Sequence, residues 1–119
     1  GIIPYYPLAG GILTGKYSGG AVPAGSHLDK NPNFAKRLSE ARVALGEQVS
    51  MLAAEIGTTA TILSLAWLMH QPMVSTVIAG ATRESQIDEN VKAAELDLPQ
   101  DVLDQLDEMS KEFIYSPKF

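Results

Sequence analysis

Two short apolar runs constrain this chain more than any other feature. Ile2–Tyr6 opens the sequence and Val74–Ile78 comes late in its 119 residues. Short apolar, β-branched runs bounded by turn residues read as buried strands, and Pro4 suits a strand edge or an irregular start. The residues between them carry a helical period, so the two strands run parallel. Parallel strands need several neighbours and cover on both faces, and two short strands do not make a self-sufficient sheet. The missing neighbours come from a segment before Gly1, from another copy of the chain, or from nowhere. The chain opens without methionine and runs straight into a strand, which reads as a cut rather than a start. Unpaired edges favour self-association. The class is α/β, with two strands and four helices.

Each strand runs into a glycine-bearing loop. Thr76–Val91 reads as a strand, a glycine turn at Gly80, an N-cap at Thr82 and a helix with Gln86, Glu89 and Asn90 near one side of its first two turns. A helix start presents free N–H groups and the positive end of the dipole, which suits an anion. Arg83 adds a cation fitted to phosphate. After Ile2–Tyr6 comes Pro7-Leu-Ala-Gly-Gly-Ile-Leu-Thr-Gly-Lys-Tyr17. Here Gly10, Gly11 and Gly15 permit positive φ and close backbone approach, and Lys16 is a second cation. Two such loops on neighbouring strands suggest one phosphate-bearing ligand clamped between them, although a strand–Gly–Thr–helix unit also occurs where nothing binds.

The rest of the chain reads as follows. Pro7–Asn33 is a long loop with one helical turn near Ile12-Leu13; loops this long inside a compact protein are functional or flexible. Phe34, Leu38, Ala41, Leu45, Val49, Leu52 and Ile56 recur at threes and fours, predicting one helix ending at Gly57. Thr58 or Thr59 caps the next helix, which runs to about Gln71 before Pro72 and is apolar nearly all round. Thr82 or Arg83 opens a helix carrying Ile87, Val91 and Ala94 inward. A last helix starts near Pro99, with Val102, Leu103, Leu106, Met109 and Phe113 inward and Asp97 and Asp101 near its N-terminus, as the dipole prefers. The tail Ile114–Phe119 is expected to be loosely held.

Composition bounds the function. The chain is 45% hydrophobic and 19% charged, the profile of a globular domain. Its net charge of −5 argues against nucleic acid as the main partner. Cysteine is absent, so neither disulfides nor cysteine-based metal or nucleophile chemistry is available. No apolar run reaches a membrane span and no signal peptide is visible; the expected location is the cytoplasm.

At the two loops the chain resembles the aldo-keto reductase family. The family's YSPL-type segment leading into G-x-L-T-G-K-Y stands here as Tyr6-Pro7-Leu8 and Gly11–Tyr17. Its V-I-P-G-A-T-x-x-x-Q-x-x-E-N-like segment stands as Val77–Asn90. Between them Leu63-Ser-Leu-Ala-Trp-Leu-Met69 resembles the family's A-L-A-W-L-L element. The resemblance implies a (β/α)₈ TIM barrel in which residues 1–119 are the C-terminal third: the seventh and eighth strands, their helices and the C-terminal helix. Barrel sites sit at the C-terminal strand ends, where both loops lie. The resemblance implies NADPH-dependent hydride transfer to aldehydes or ketones in the intact protein. Pro7, Leu8, Ala9, Gly11 and Lys16 would line the pyrophosphate. Gly80, Thr82, Arg83, Gln86, Glu89 and Asn90 would hold the adenosine and its 2′-phosphate, and Arg83 favours NADP over NAD. The partners implied are NADPH and a small carbonyl substrate.

Three positions depart from the pattern. Tyr6 replaces a common serine, Ala79 a common proline, and Ser26-His27-Leu28 stands where the family often has an arginine that packs on the cofactor. The family's catalytic aspartate, tyrosine, lysine and histidine lie on earlier strands, and the matched segments supply none of them. Lys16, His27, His70 and the tyrosines are not assigned those roles. His70 and Trp67 read as structural, and Tyr5 or Tyr6 as either facing the cofactor or packing in the core. The alternative is a non-catalytic NADP-binding or oligomerising piece, consistent with relatives that serve as channel β subunits; a third is a truncated remnant with no function of its own.

Overall fold

A computed structural model describes residues 1–36 and 38–113; the tail Ile114–Phe119 lies outside the described residues. The two expected strands do pair in parallel, but only through isolated bridges, Ile2 with Val74 and Tyr5 with Ile78. Three backbone hydrogen bonds hold them: Ile2 N to Met73 O at 2.7 Å, Ser75 N to Ile2 O at 2.8 Å, and Ile78 N to Pro4 O at 3.1 Å. No extended strand forms among the described residues. Pro4 has no N–H to continue the ladder, and Tyr6 leaves the extended region at φ 60°. The runs are not buried either: Ile2, Ile3, Tyr5 and Ile78 are exposed, because no third strand covers them among the described residues.

The expected long loop is more ordered than one helical turn. It holds 3₁₀ turns at Ala9–Thr14 and Ser18–Gly20 and two short helices, α1 (His27–Lys30) and α2 (Pro32–Ala35). Ser26 caps α1, its hydroxyl accepting from Asp29 N. The single helix expected from Phe34 to Ile56 is broken. α3 spans Glu40–Glu55, with Ser39 Oγ accepting from Arg42 N as its N-cap. The cap outcompetes the periodic pattern because the hydroxyl satisfies an otherwise orphaned N–H. Phe34 and Leu38 pack instead on a small core of Ile12, Tyr17 and Leu28.

α4 (Ala60–Met69) starts at Thr59, whose Oγ1 accepts from Ile62 N. It is the central element. Leu63 and Ala66 join Val49, Leu52 and Ala53 of α3 and Leu98, Val102 and Leu106 in the main core. Ile62 and Leu65 face a second core with Ala93, against which Leu8, Val77 and Ala79 pack. A helix packed on two sides is apolar nearly all round, and each large side chain buried contributes roughly 1.5–3 kcal/mol. His70 and Trp67 fasten its C-terminal half. His70 Nδ1 donates to Ala66 O at 2.8 Å and Nε2 accepts from Leu98 N at 3.4 Å. Trp67 Nε1 donates to Asp107 Oδ1 at 2.8 Å.

α5 (Glu84–Glu95) and α6 (Gln100–Ser110) complete the fold. α6 buries Val102 and Leu106 as expected. α5 does not turn Ile87, Val91 and Ala94 inward. Ile87 and Val91 are each 54% exposed, and the buried residue is Ala93. Ile87, Val91 and Ala94 instead line a shallow apolar groove with Leu65, Met69 and Val77. α5 presents a small residue where it meets α4 and leaves its bulky stripe uncovered.

The glycine loop is braced from behind by α3. Gly46 is buried, and a Cβ there would stand 2.5 Å from Ile12 O. Ser64 Oγ of α4 reaches Leu13 O at 3.3 Å. Helix propensity alone would make Gly46→Ala stabilising by about 1 kcal/mol. The backbone clash reverses the sign, and we expect Gly46→Ala to destabilise the protein by roughly 1–3 kcal/mol, read as a lowered Tm. An unchanged or raised Tm would show that the loop does not rest on α3.

Candidate functional site

The first loop is shaped by left-handed backbone. Gly10 and Gly11 adopt φ of 72° and 92°, a region that costs little only for glycine. Tyr6 and Ala9 adopt φ of 60° and 50° without that licence; non-glycine residues held there cost on the order of 1–3 kcal/mol and cluster at functional sites. Side chains hold the loop in this form. Thr14 Oγ1 donates to Gly11 O at 2.7 Å. Tyr17, 2% exposed, donates its hydroxyl to Gly10 O at 3.1 Å and accepts from Leu28 N at 3.3 Å. Lys16 folds back over Gly11, so that a Cβ at residue 11 would stand 3.1 Å from its Cε.

The second loop leads into α5, whose N-cap is Arg83 rather than Thr82. Gln86 Oε1 takes three donors at once: Thr82 N at 2.8 Å, Thr82 Oγ1 at 3.2 Å and Arg83 N at 3.3 Å. Two of the amides expected to point outward are thus satisfied internally. Those of Glu84 and Ser85 have no partner among the described residues. Gly80 is not a positive-φ turn, and a Cβ there would meet nothing within 4 Å. The chain's own packing therefore does not require glycine at 80.

Both loops open on one cleft of 1210 Å³. Pro7, Leu8, Gly11 and Lys16 line one side, and Gly80, Thr82, Arg83, Gln86, Glu89 and Asn90 the other. Of the residues assigned to the cofactor from the family resemblance, Ala9 alone does not line it; its N–H donates to Tyr6 O at 3.1 Å within the loop turn. The charge balance of the cleft is opposite to that of the chain. Lys16, Lys30, Arg83 and Lys92 are its cations and Glu89 its one carboxylate, although the chain carries 14 acidic against 9 basic residues.

Tyr6 and His27, met in the sequence as departures from the family pattern, line the cleft as well, and Thr59, Lys30 and Lys92 line it without having been singled out for it. Tyr6 and His27 meet at the rim, Tyr6 Oη to His27 Nε2 at 2.7 Å, with the rings edge-on at 5.7 Å. Phe34 stands 5.5 Å from the His27 ring. Thr59 was read only as a cap, yet it lines the cleft and donates to Glu89 Oε1 at 2.6 Å. Lys92 had a legible signal, since it follows Glu89 by three residues on a helix and so lies on the same side. Lys30 had none, because its place depends on how the loop folds back. His70 and Trp67 lie outside the lining.

Among the described residues no three His, Asp or Glu side chains are grouped to hold a metal. No single described helix is long and apolar enough to cross a membrane.

Comparison with known proteins gives this geometry a context. The model of the Aldo/keto reductase family matches residues 1–111. The chain is 43% identical over 99 residues to a probable voltage-gated potassium channel subunit beta of Arabidopsis thaliana, covering 81% of this chain and 30% of that protein. It is 41% identical over 121 residues to a putative voltage-gated potassium channel subunit beta of Schizosaccharomyces pombe, covering 92% and 33%. It is 35% identical over 98 residues to L-glyceraldehyde 3-phosphate reductase of Escherichia coli O157:H7, covering 78% and 28%. The chain thus spans about a third of the length of the curated relatives it matches. The family implies a TIM barrel, whereas the described residues are mostly helical. With the match extending over residues 1–111, the chain belongs to the aldo/keto reductase family.

Proposed function

We propose that these residues form the dinucleotide grip of an NADPH-dependent oxidoreductase that reduces aldehydes or ketones. The observation that carries this reading is the single cleft between the two glycine loops, with four cations against one carboxylate on an acidic chain. Lys16 over Gly11 suits a pyrophosphate. Arg83 at the start of α5, with the unpartnered amides of Glu84 and Ser85, suits a 2′-phosphate. The absence of steric need for glycine at 80 fits a ligand lying close to the backbone there. Gln86, Glu89 and Asn90 then face the adenosine, with Gln86 holding the loop through its oxygen. NADPH would supply the hydride, while these residues bind and orient it.

In this reading the chain is the C-terminal third of a barrel, contributing its seventh and eighth strand–helix units. The exposed apolar residues Ile2, Ile3, Tyr5 and Ile78 are then covered by neighbouring barrel strands. A second reading, a non-catalytic or self-associating NADP-binding piece, draws on the same exposed residues and on the names of the channel-subunit relatives. Sedimentation separates the two: a concentration-dependent dimer of residues 1–119 supports the second.

The grip is tested by thermal melting. NADPH in excess is expected to raise Tm, by mass action on the folded state, and NADH to raise it less. Arg83→Ala is expected to weaken NADPH binding roughly tenfold or more while changing NADH binding little. An equal effect on both cofactors would remove Arg83 from the phosphate site, and no shift with either would contradict the reading.

Residues 1–119 alone are expected to give no turnover of a simple aldehyde with NADPH, because the matched segments carry none of the family's proton-transfer residues. Turnover well above a mock preparation would overturn that.

A further inference from the structure

Two cations of the cleft have no task once Lys16 and Arg83 are given to phosphates. Lys30 lies in the last turn of α1 and Lys92 in the last turn of α5. They are distant in the chain, yet both line the cleft and both are exposed. Neither is neutralised. The ion pairs among the described residues join His70 to Asp97 and Lys111 to Glu108, and none of those four residues lines the cleft. The acids nearest the two lysines in sequence leave them alone. Asp29, next to Lys30, accepts from Gly25 N at 2.7 Å. Asp88, Glu89 and Glu95 lie within a helical turn of Lys92, and none pairs with it. Glu89 instead accepts from Thr59 Oγ1 at 2.6 Å.

Exposed, unpaired lysines grip a bound anion weakly. Water screens the ammonium, and fixing its flexible four-carbon stem costs entropy. Their field acts before contact. Exposed charges reach about 8 Å at physiological salt and about 30 Å at 0.01 M, and a cleft lined by one sign of charge concentrates ligands of the other. The chain carries 14 acidic against 9 basic residues, so an anion is repelled by most of the surface and drawn to this cleft.

We propose that Lys30 and Lys92 are a capture pair: they steer a ligand with several phosphate charges into the cleft, and Lys16 and Arg83 hold it there. This rests on the dinucleotide reading above and adds the way the ligand arrives. A charge that steers sets the association rate and its salt dependence, whereas a charge that grips sets the dissociation rate.

The test is stopped-flow mixing of the full-length protein with NADPH, followed by fluorescence of the reduced nicotinamide, at about 0.01 M and about 0.15 M salt. Wild-type association is expected to slow roughly tenfold or more between the two. Lys30→Gln combined with Lys92→Gln is expected to slow association roughly tenfold at the lower salt, to flatten the salt dependence, and to leave dissociation within about twofold. Arginine at both positions keeps the charge and is expected to keep the wild-type rate. Lys111→Gln, which removes one charge away from the cleft, is expected to leave association unchanged. Association slowed as much by Lys111→Gln as by Lys30→Gln or Lys92→Gln would assign the effect to net charge. Faster dissociation with unchanged association in the double variant would make the lysines direct contacts. Either result, or wild-type association that ignores salt, would overturn the inference and spare the cofactor reading. Failure of wild type to bind NADPH would overturn both.

Discussion

Everything at the candidate site depends on three backbone hydrogen bonds. Ile2, Pro4, Met73, Ser75 and Ile78 exchange them across two segments distant in the chain, and so set the exits of both segments side by side. Without that pairing the Gly10–Lys16 loop and the Gly80–Asn90 turn would belong to separate helical units. Three hydrogen bonds are too little to hold a pair of segments alone. α4 supplies the rest, because Ile62 and Leu65 take Leu8 from one exit and Val77 and Ala79 from the other onto a single apolar face. The site is thus a product of one helix buried on two sides.

The electrostatics follow from the same arrangement. An acidic chain gathers Lys16 of the glycine loop, Lys30 of α1, Arg83 at the N-cap of α5 and Lys92 in its last turn onto one cleft. The acids of α6, Asp101, Asp104, Asp107 and Glu108, are not among its lining. At physiological salt, exposed charges act over about 8 Å, so it is the local balance and not the net charge that a bound anion would experience. Net charge alone argues against polyanion binding and says nothing of a cleft this size.

The sequence was most legible where one local force decided the outcome. α4 was read with its cap narrowed to Thr58 or Thr59 and its burial on nearly every face, because hydrophobicity nearly all round leaves a helix little alternative. The positive φ of Gly10 and Gly11 followed from glycine pairs beside a turn. It was misleading where forces compete. The Phe34–Ile56 period predicted one helix, but the Ser39 hydroxyl capped α3 and sent Phe34 and Leu38 to another core. Ile87, Val91 and Ala94 looked inward by their spacing, yet burial goes to the face that finds a neighbour, and α5 meets α4 through Ala93. Strand content was overestimated because apolar runs show that a segment can pair, while the length of the ladder depends on how many partners it has. Pairings such as Thr59 with Glu89 or Tyr6 with His27 leave no trace in either local pattern.

The central claim is that the two loops hold the phosphates of one ligand. Amide chemical shifts of isotope-labelled protein titrated with adenosine 2′,5′-bisphosphate test it most directly. Saturable shifts are expected at Gly80 and Thr82–Asn90, and in a titration with NADPH a single dissociation constant is expected at those residues and at Gly10, Gly11 and Lys16. Shifts confined to one loop, or two loops that saturate with different constants, would contradict it.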